Sequence, residues 1–253
     1  MKKKKLLRFI GFYDYTVYLT YLSLISSVFG LTLAINKEDY KMAIFCLAFS
    51  GICDAFDGRV ARTKKNRTED QKNFGIQLDS LCDVICFGAF PGLLCYLLGV
   101  RGWLGLAIVF FYCTCAVIRL AFFNVLEAKR QKEEGGGNKT YRGLPVTSIS
   151  FILPLVFWLQ FLMSDIAFKV VLHIVLAVVG FLFIYDFRLR KPSLKGLLII
   201  IGVVCVTVGV ICAYTKFKVP APEDKSDIFE QIVASEEETT GEVTGDPIEA
   251  ETP

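Results

Sequence analysis

Asp54, Asp57, Asp79 and Asp83 each lie within or beside a strongly apolar segment, in the stretches CDAFDGRVAR and GIQLDSLCD. A fifth aspartate of this region, Asp70, sits in a charged connector and needs no such explanation. Asp54 and Asp57 are three residues apart, while Gly75, Asp79 and Asp83 follow one another at intervals of four. On helices, Asp54, Gly58, Ala61 and Arg62 fall near one stripe, and Gly75, Asp79 and Asp83 fall on another. Two helices that each present two carboxylates to a shared space make an all-oxygen site, the donor set of Mg2+, Mn2+ or Ca2+. Gly58, Ala61 and Gly75 carry almost no side chain on those stripes. That permits close helix approach, or leaves room for a flat ligand.

Two plainer readings compete. The aspartates could pair with Arg62, Lys72 and Arg119 as structural salt bridges, but buried ion pairs are a poor route to stability. They could form an ion or proton relay, but no matching carboxylates occupy the other half of the spans. The metal site is the better reading.

The elements that must position these residues are membrane helices. The chain has 253 residues, 54% of them hydrophobic, and a mean hydropathy of +0.51. Apolar runs recur at Tyr15–Ile35, Met42–Phe56, Ile76–Leu98, Trp103–Leu126, Pro145–Met163, Ile166–Tyr185 and Leu194–Tyr214. A bilayer core of about 30 Å needs about 20 helical residues, and unpaired backbone groups cannot stay in hydrocarbon. The expected fold is therefore all-α, a polytopic membrane helix bundle of about seven spans. The second run is short but continues into Gly58–Arg62, and the fifth and sixth turn tightly at Ser164–Asp165. The first run is longer than a typical signal-peptide core, and no clear small-residue cleavage site follows it. Nine cysteines all fall within the expected spans and read as small apolar residues rather than a disulfide framework.

Basic residues mark the sides. Lys2 to Lys5 and Arg8, then Lys64, Lys65, Arg67 and Lys72, then Lys129 to Arg142, then Arg188 to Lys195 lie in alternate loops. The positive-inside rule puts those loops in the cytoplasm of a multi-pass cell-membrane protein. Residues 1–215 form the expected membrane-embedded domain. Residues 216–253 form an acidic tail of three lysines against eleven acidic residues, 3 − 11 = −8, which reads as disordered. Followed by depth, Asp54, Asp57, Arg62, Asp79, Asp83, Arg119, Asn124 and Arg142 all converge at the cytoplasmic end. Neither a Walker-type phosphate loop nor a dinucleotide fingerprint is present, and the lone His173 reads as a packed or hydrogen-bonded helix residue.

Asp54, Asp57, Gly58, Ala61, Arg62, Gly75, Asp79 and Asp83 together fit the pattern D-x2-D-G-x2-A-R-…-G-x3-D-x3-D. This resembles the signature of the CDP-alcohol phosphotransferase family of integral membrane enzymes. Twelve residues separate Arg62 from Gly75, more than the common family spacing, and the charged insert within Thr63–Phe74 is expected to bulge between two helices. RLAFFNV (Arg119–Val125), YRGLPVTS (Tyr141–Ser148) and, more faintly, DFRLRKPSLK (Asp186–Lys195) resemble segments of the family's membrane-embedded phosphatidylserine synthases. The second arginine often seen in the first of these is Phe122 here.

The resemblance implies transfer of a phosphatidyl group from CDP-diacylglycerol to L-serine, releasing CMP, with two Mg2+ or Mn2+ ions. It implies Asp54, Asp57 and Asp79 as core metal ligands. It implies Asp83 as the general base on the acceptor hydroxyl and as a contact of the second ion. Gly58, Ala61, Arg62 and Gly75 hold nucleotide and phosphate, and Arg119, Asn124 and Arg142 are candidates for the acceptor. The expected partners are lipid and serine rather than nucleic acid, with the family's tendency to form homodimers. Glycerol 3-phosphate or inositol phosphate as acceptor is the nearest alternative.

Overall fold

A computed structural model describes residues 10–64, 66–132, 140–190 and 194–213. Among these residues the fold is helical apart from one small ribbon. The helices are α1 (Tyr18–Lys37), α2 (Tyr40–Thr63), α3 (Glu69–Asp83), α4 (Phe90–Leu97), α5 (Gly102–Lys132), α6 (Ile149–Trp158), α7 (Asp165–Ile184) and α8 (Leu194–Ala213). A π-helical segment, Val84–Ala89, joins α3 to α4 without a break. Seven helical rods therefore correspond to the seven apolar runs. Four of them are long and apolar enough to cross a membrane. Val146–Phe161 and Leu198–Ile211 are shorter apolar helices. At 24 residues α2 has the length, but Asp54, Asp57, Arg59 and Arg62 make its last turns polar.

Local chemistry sets the boundaries. Helix α1 ends with Glu38 in the left-handed conformation at φ 52°, and the Asp39 side chain caps α2 by accepting from the Met42 N–H. Thr68 and Gln71 form a reciprocal capping box at the start of α3. This helix begins at Glu69, seven residues before the apolar run at Ile76. The expected bulge over Thr63–Phe74 thus shrinks to a connector of residues 64–68, and the rest of the insert lengthens the helix. Its reason is visible in the sequence: Glu69 and Asp70 favour a helix N-terminus, and the cap residues sit three apart.

The π segment has a physical cause. Pro91 lacks an N–H, and its ring would clash with the carbonyl four residues back. That carbonyl, on Phe87, instead accepts from the Tyr112 hydroxyl at 2.6 Å, while the Phe90 N–H reaches Ile85 O, five residues back. The helix shifts its register here, and the Phe87 carbonyl and Phe90 N–H both find partners.

Packing near the site depends on small residues. The buried face of α1 reads Thr20, Ser23, Ser27, Gly30 and Ala34, a three-four-three-four spacing that forms a narrow seam. A Cβ on Gly30 would lie 2.6 Å from Cys46 Cβ on α2, so α1 and α2 meet more closely than any side chain allows. Buried hydroxyls tie the seam across: Ser23 Oγ and Ser50 Oγ are 2.6 Å apart, and Ser27 Oγ donates to Ser50 Oγ at 3.0 Å. Outward stripes are apolar, as on α7, where Ile166, Val170, Ile174, Val178 and Phe181 are exposed. Such a surface is stable in lipid and a liability in water.

The ribbon pairs β1 (Thr140–Arg142) with β2 (Arg188–Arg190), antiparallel, placing Arg142 opposite Arg188. It joins the α5–α6 and α7–α8 connections, whose residues were expected on the same side. The eight cysteines whose side chains are described are free thiols. His173 is a hydrogen-bonded helix residue, its Nδ1 2.7 Å from Lys169 O. The acidic tail, Lys216–Pro253, lies outside the described residues.

Candidate metal and nucleotide site

Helices α2 and α3 bring the four aspartates together. One carboxylate oxygen each from Asp54, Asp57 and Asp79 lies within 4.8 Å of the other two. Asp57 faces Asp79, and Asp54 faces Asp83, each pair within hydrogen-bonding reach. This crossed pairing is what antiparallel neighbours produce: the residue nearest the end of α2 meets the residue nearest the start of α3. Asp83 is buried, and the other three are half-buried.

Charge decides what such a cluster needs. Two like charges about 5 Å apart at an effective dielectric of about 20 repel by about 3 kcal/mol. The salt bridge recorded among the described residues lies elsewhere, from Lys64 Nζ to Asp14 Oδ2 at 2.9 Å. Asp79 Oδ1 is buried without a hydrogen-bond partner. Clustered carboxylates with an orphaned oxygen fit a divalent cation, and the all-oxygen donor set suits Mg2+ or Mn2+. That recorded bridge involves none of the four aspartates.

Neighbouring residues divide into those that support the cluster and those that are occupied otherwise. The Thr20 hydroxyl on α1 donates to Asp57 Oδ2 at 3.4 Å. The sequence reading missed Thr20, although its place at the head of the hydroxyl-rich α1 seam was a signal. Gly58 is open, with nothing within 4 Å of where a side chain would start. Gly75 is covered: a Cβ there would lie 2.6 Å from the Arg67 Nη2. Ala61 is half-buried on the same turn of α2 as Arg62. The Arg62 side chain folds back along its own helix, Nε donating to Gly58 O at 2.9 Å.

The acceptor candidates lie on neighbouring elements. Arg119 on α5 is buried, donates from Nε to Leu144 O at 3.3 Å, and places its guanidinium 5.5 Å from the Phe123 ring centroid. Asn124, one to two turns on, accepts from the Ser80 hydroxyl at 2.8 Å, which ties α5 to α3 between Asp79 and Asp83. Arg142 lies on β1, and its side chain is outside the described set. Beyond the site's mouth, a strap of residues 10–17 crosses the α2–α3 connector. Phe12 packs edge-on against Phe74 at 5.5 Å, Asp14 pairs with Lys64, and the Tyr15 hydroxyl lies 3.1 Å from Thr63 Oγ1. The Thr16 hydroxyl, and then Lys64, hold the Asp14 carboxyl down at about 2.

Comparison with known proteins identifies the family. The family model described as CDP-alcohol phosphatidyltransferase matches residues 16–208. A CDP-diacylglycerol–serine O-phosphatidyltransferase of Mycobacterium tuberculosis is 34% identical over 110 residues, 43% of this chain and 37% of that protein. The Saccharomyces cerevisiae protein of the same name is 34% identical over 121 residues, 47% of this chain and 42% of its own. An archaetidylserine synthase of Methanothermobacter thermautotrophicus is 32% identical over 147 residues, 58% of this chain and 57% of its own. The chain thus spans about two fifths to under three fifths of the length of these curated relatives. No solved structure matches. With a match that runs from the first membrane helix to the last and includes all four aspartates, the chain belongs to the CDP-alcohol phosphatidyltransferase family.

Proposed function

We propose that this chain transfers a phosphatidyl group from CDP-diacylglycerol to the hydroxyl of L-serine, giving phosphatidylserine and CMP, at the cytoplasmic face of the cell membrane. The observation that carries the reading is the cluster of Asp54, Asp57, Asp79 and Asp83 between α2 and α3, with its orphaned Asp79 oxygen. The names of the curated relatives favour serine as the acceptor.

Asp54, Asp57 and Asp79 would hold divalent metal, with Asp83 completing a second position, so that two Mg2+ or Mn2+ ions share the four carboxylates. Metal bound there supplies positive charge against the pyrophosphate and the departing CMP. Asp83 takes the proton of the serine hydroxyl as its oxygen bonds to the phosphatidyl phosphorus. The bond from that phosphorus to the CMP oxygen breaks, and CMP leaves as a phosphate monoester. The open face of Gly58, with Ala61 beside it, leaves room for the nucleotide, and Arg62 at the same end is placed for phosphate oxygens. On α3, the space beside Gly75 is taken by the Arg67 guanidinium. Arg119 or Arg142 meets the serine carboxylate, and Asn124 orients this side through Ser80. A homodimer belongs to the same proposal.

Purified protein in lipid–detergent micelles, given CDP-diacylglycerol and Mn2+ or Mg2+, tests it against each acceptor. CMP release that requires serine is the expected result. Release with glycerol 3-phosphate or inositol phosphate alone would move the acceptor, and no release from folded protein would remove the activity.

A further inference from the structure

We propose that Arg67, supplied by this chain's lengthened α2–α3 connection, is a phosphate ligand for the CMP half of CDP-diacylglycerol. The inference rests on the reaction proposed above. Gly75 leaves room on the face of α3 that leads to Asp79, and the Arg67 guanidinium fills it, its Nη2 2.6 Å from where a Cβ would stand. One guanidinium hydrogen bond is satisfied internally, from Nη2 to Gln71 O at 3.2 Å. Nε is buried and has no partner. A buried donor on a permanent cation is costly unless an acceptor meets it, and a planar guanidinium fits a phosphate's oxygens two at a time.

The position selects which phosphate. Gly75, Asp79 and Asp83 lie on one stripe of α3, a helical turn apart. Displacement at phosphorus puts the attacking and departing oxygens on opposite sides. With Asp83 receiving the acceptor's proton at the deep end, the departing group faces the shallow end, where Arg67 stands. The residue is also held in place rather than carried on a loose arm. Thr68 caps α3 immediately after it, and the Asp14–Lys64 pair fixes the connector before it. Across the site, Gly58 offers an open wall.

Two measurements on the full chain in micelles decide the matter. Arg67→Gln raises KM for CDP-diacylglycerol about tenfold or more and leaves KM for serine within about twofold; Arg67→Lys falls between. Equilibrium binding of CMP, measured by calorimetry without acceptor, weakens by the same factor in Arg67→Gln. Thermal melting checks that the variants are folded. Unchanged CMP binding and unchanged KM for CDP-diacylglycerol would overturn the proposal, as would a shift confined to serine. The binding arm needs no turnover. A wild type that binds CMP but transfers nothing to any acceptor would therefore count against the reaction and not against Arg67.

Discussion

Asp79 shows what the site sacrifices for its chemistry. Its Oδ1 is buried and unpaired, next to Asp54 and Asp57. In the absence of metal this arrangement is repulsive, so removing one charge should not destabilise the fold. Asp79→Asn is expected to melt at or above the wild-type temperature in chelator. Mn2+ at a hundredfold excess over its dissociation constant should raise the wild-type midpoint by about 5 °C and move the variant by less than half as much. A variant that melts well below wild type in chelator would mean the aspartate is structural. At this scale the sequence was highly legible, because i, i+3 and i, i+4 spacings translate directly into helix faces. What it could not show was the environment of each group. The Ser80 bond to Asn124, the Thr20 bond to Asp57 and the Arg67 side chain over Gly75 join residues far apart in the chain or across a turn. No local periodicity encodes them.

At the scale of elements, the α2–α3 connection is the part the sequence described least well. Its charges suggested a bulge, yet Thr68 and Gln71 cap a helix that starts at Glu69. The capping pattern is readable, but the apolar count outweighed it. The strap of residues 10–17 was not foreseen either, since it depends on Asp14 meeting Lys64 from 50 positions away. A lowered folded pKa means that Asp14 adds stability above its ordinary value of 3.8 and loses it as pH falls through about 2. Asp14→Asn should lower the melting midpoint at pH 7 by roughly 1–3 °C, a modest effect for a partly exposed pair. That difference should shrink below pH 3.8 and be mostly lost by about pH 2. An undiminished difference at pH 2 would show that the charge of Asp14 is not its source. The π segment was not part of the sequence expectation either: it depends on the Tyr112 hydroxyl reaching the Phe87 carbonyl from 25 positions away.

For the whole molecule, hydropathy alone gave the seven rods, because lipid forces every apolar run into a helix with its backbone paired internally. It did not separate the rods by composition: four are apolar enough to cross on their own, whereas α2 gives its end to the charged site. The pairing of β1 with β2 joins two connections that the distribution of basic residues also assigns to one side. The proposed orientation can be checked in intact cells. Asn66→Cys in the α2–α3 connection should react with a membrane-impermeant thiol reagent only after permeabilisation. Lys37→Cys, at the opposite end of α2's neighbour, should react without it. The reverse pattern would put the aspartates on the outer face, away from cytoplasmic serine.

In the proposed function, the four-aspartate site makes phosphatidylserine with metal. The most direct measurement is the conversion of isotopically labelled serine into lipid-extractable phosphatidylserine by purified protein with CDP-diacylglycerol and Mn2+. Product is expected to disappear with chelator and to fall on the order of 10^2–10^3-fold in folded Asp79→Asn. Labelled lipid formed at the wild-type rate by that variant, or undiminished in chelator, would contradict the proposed function.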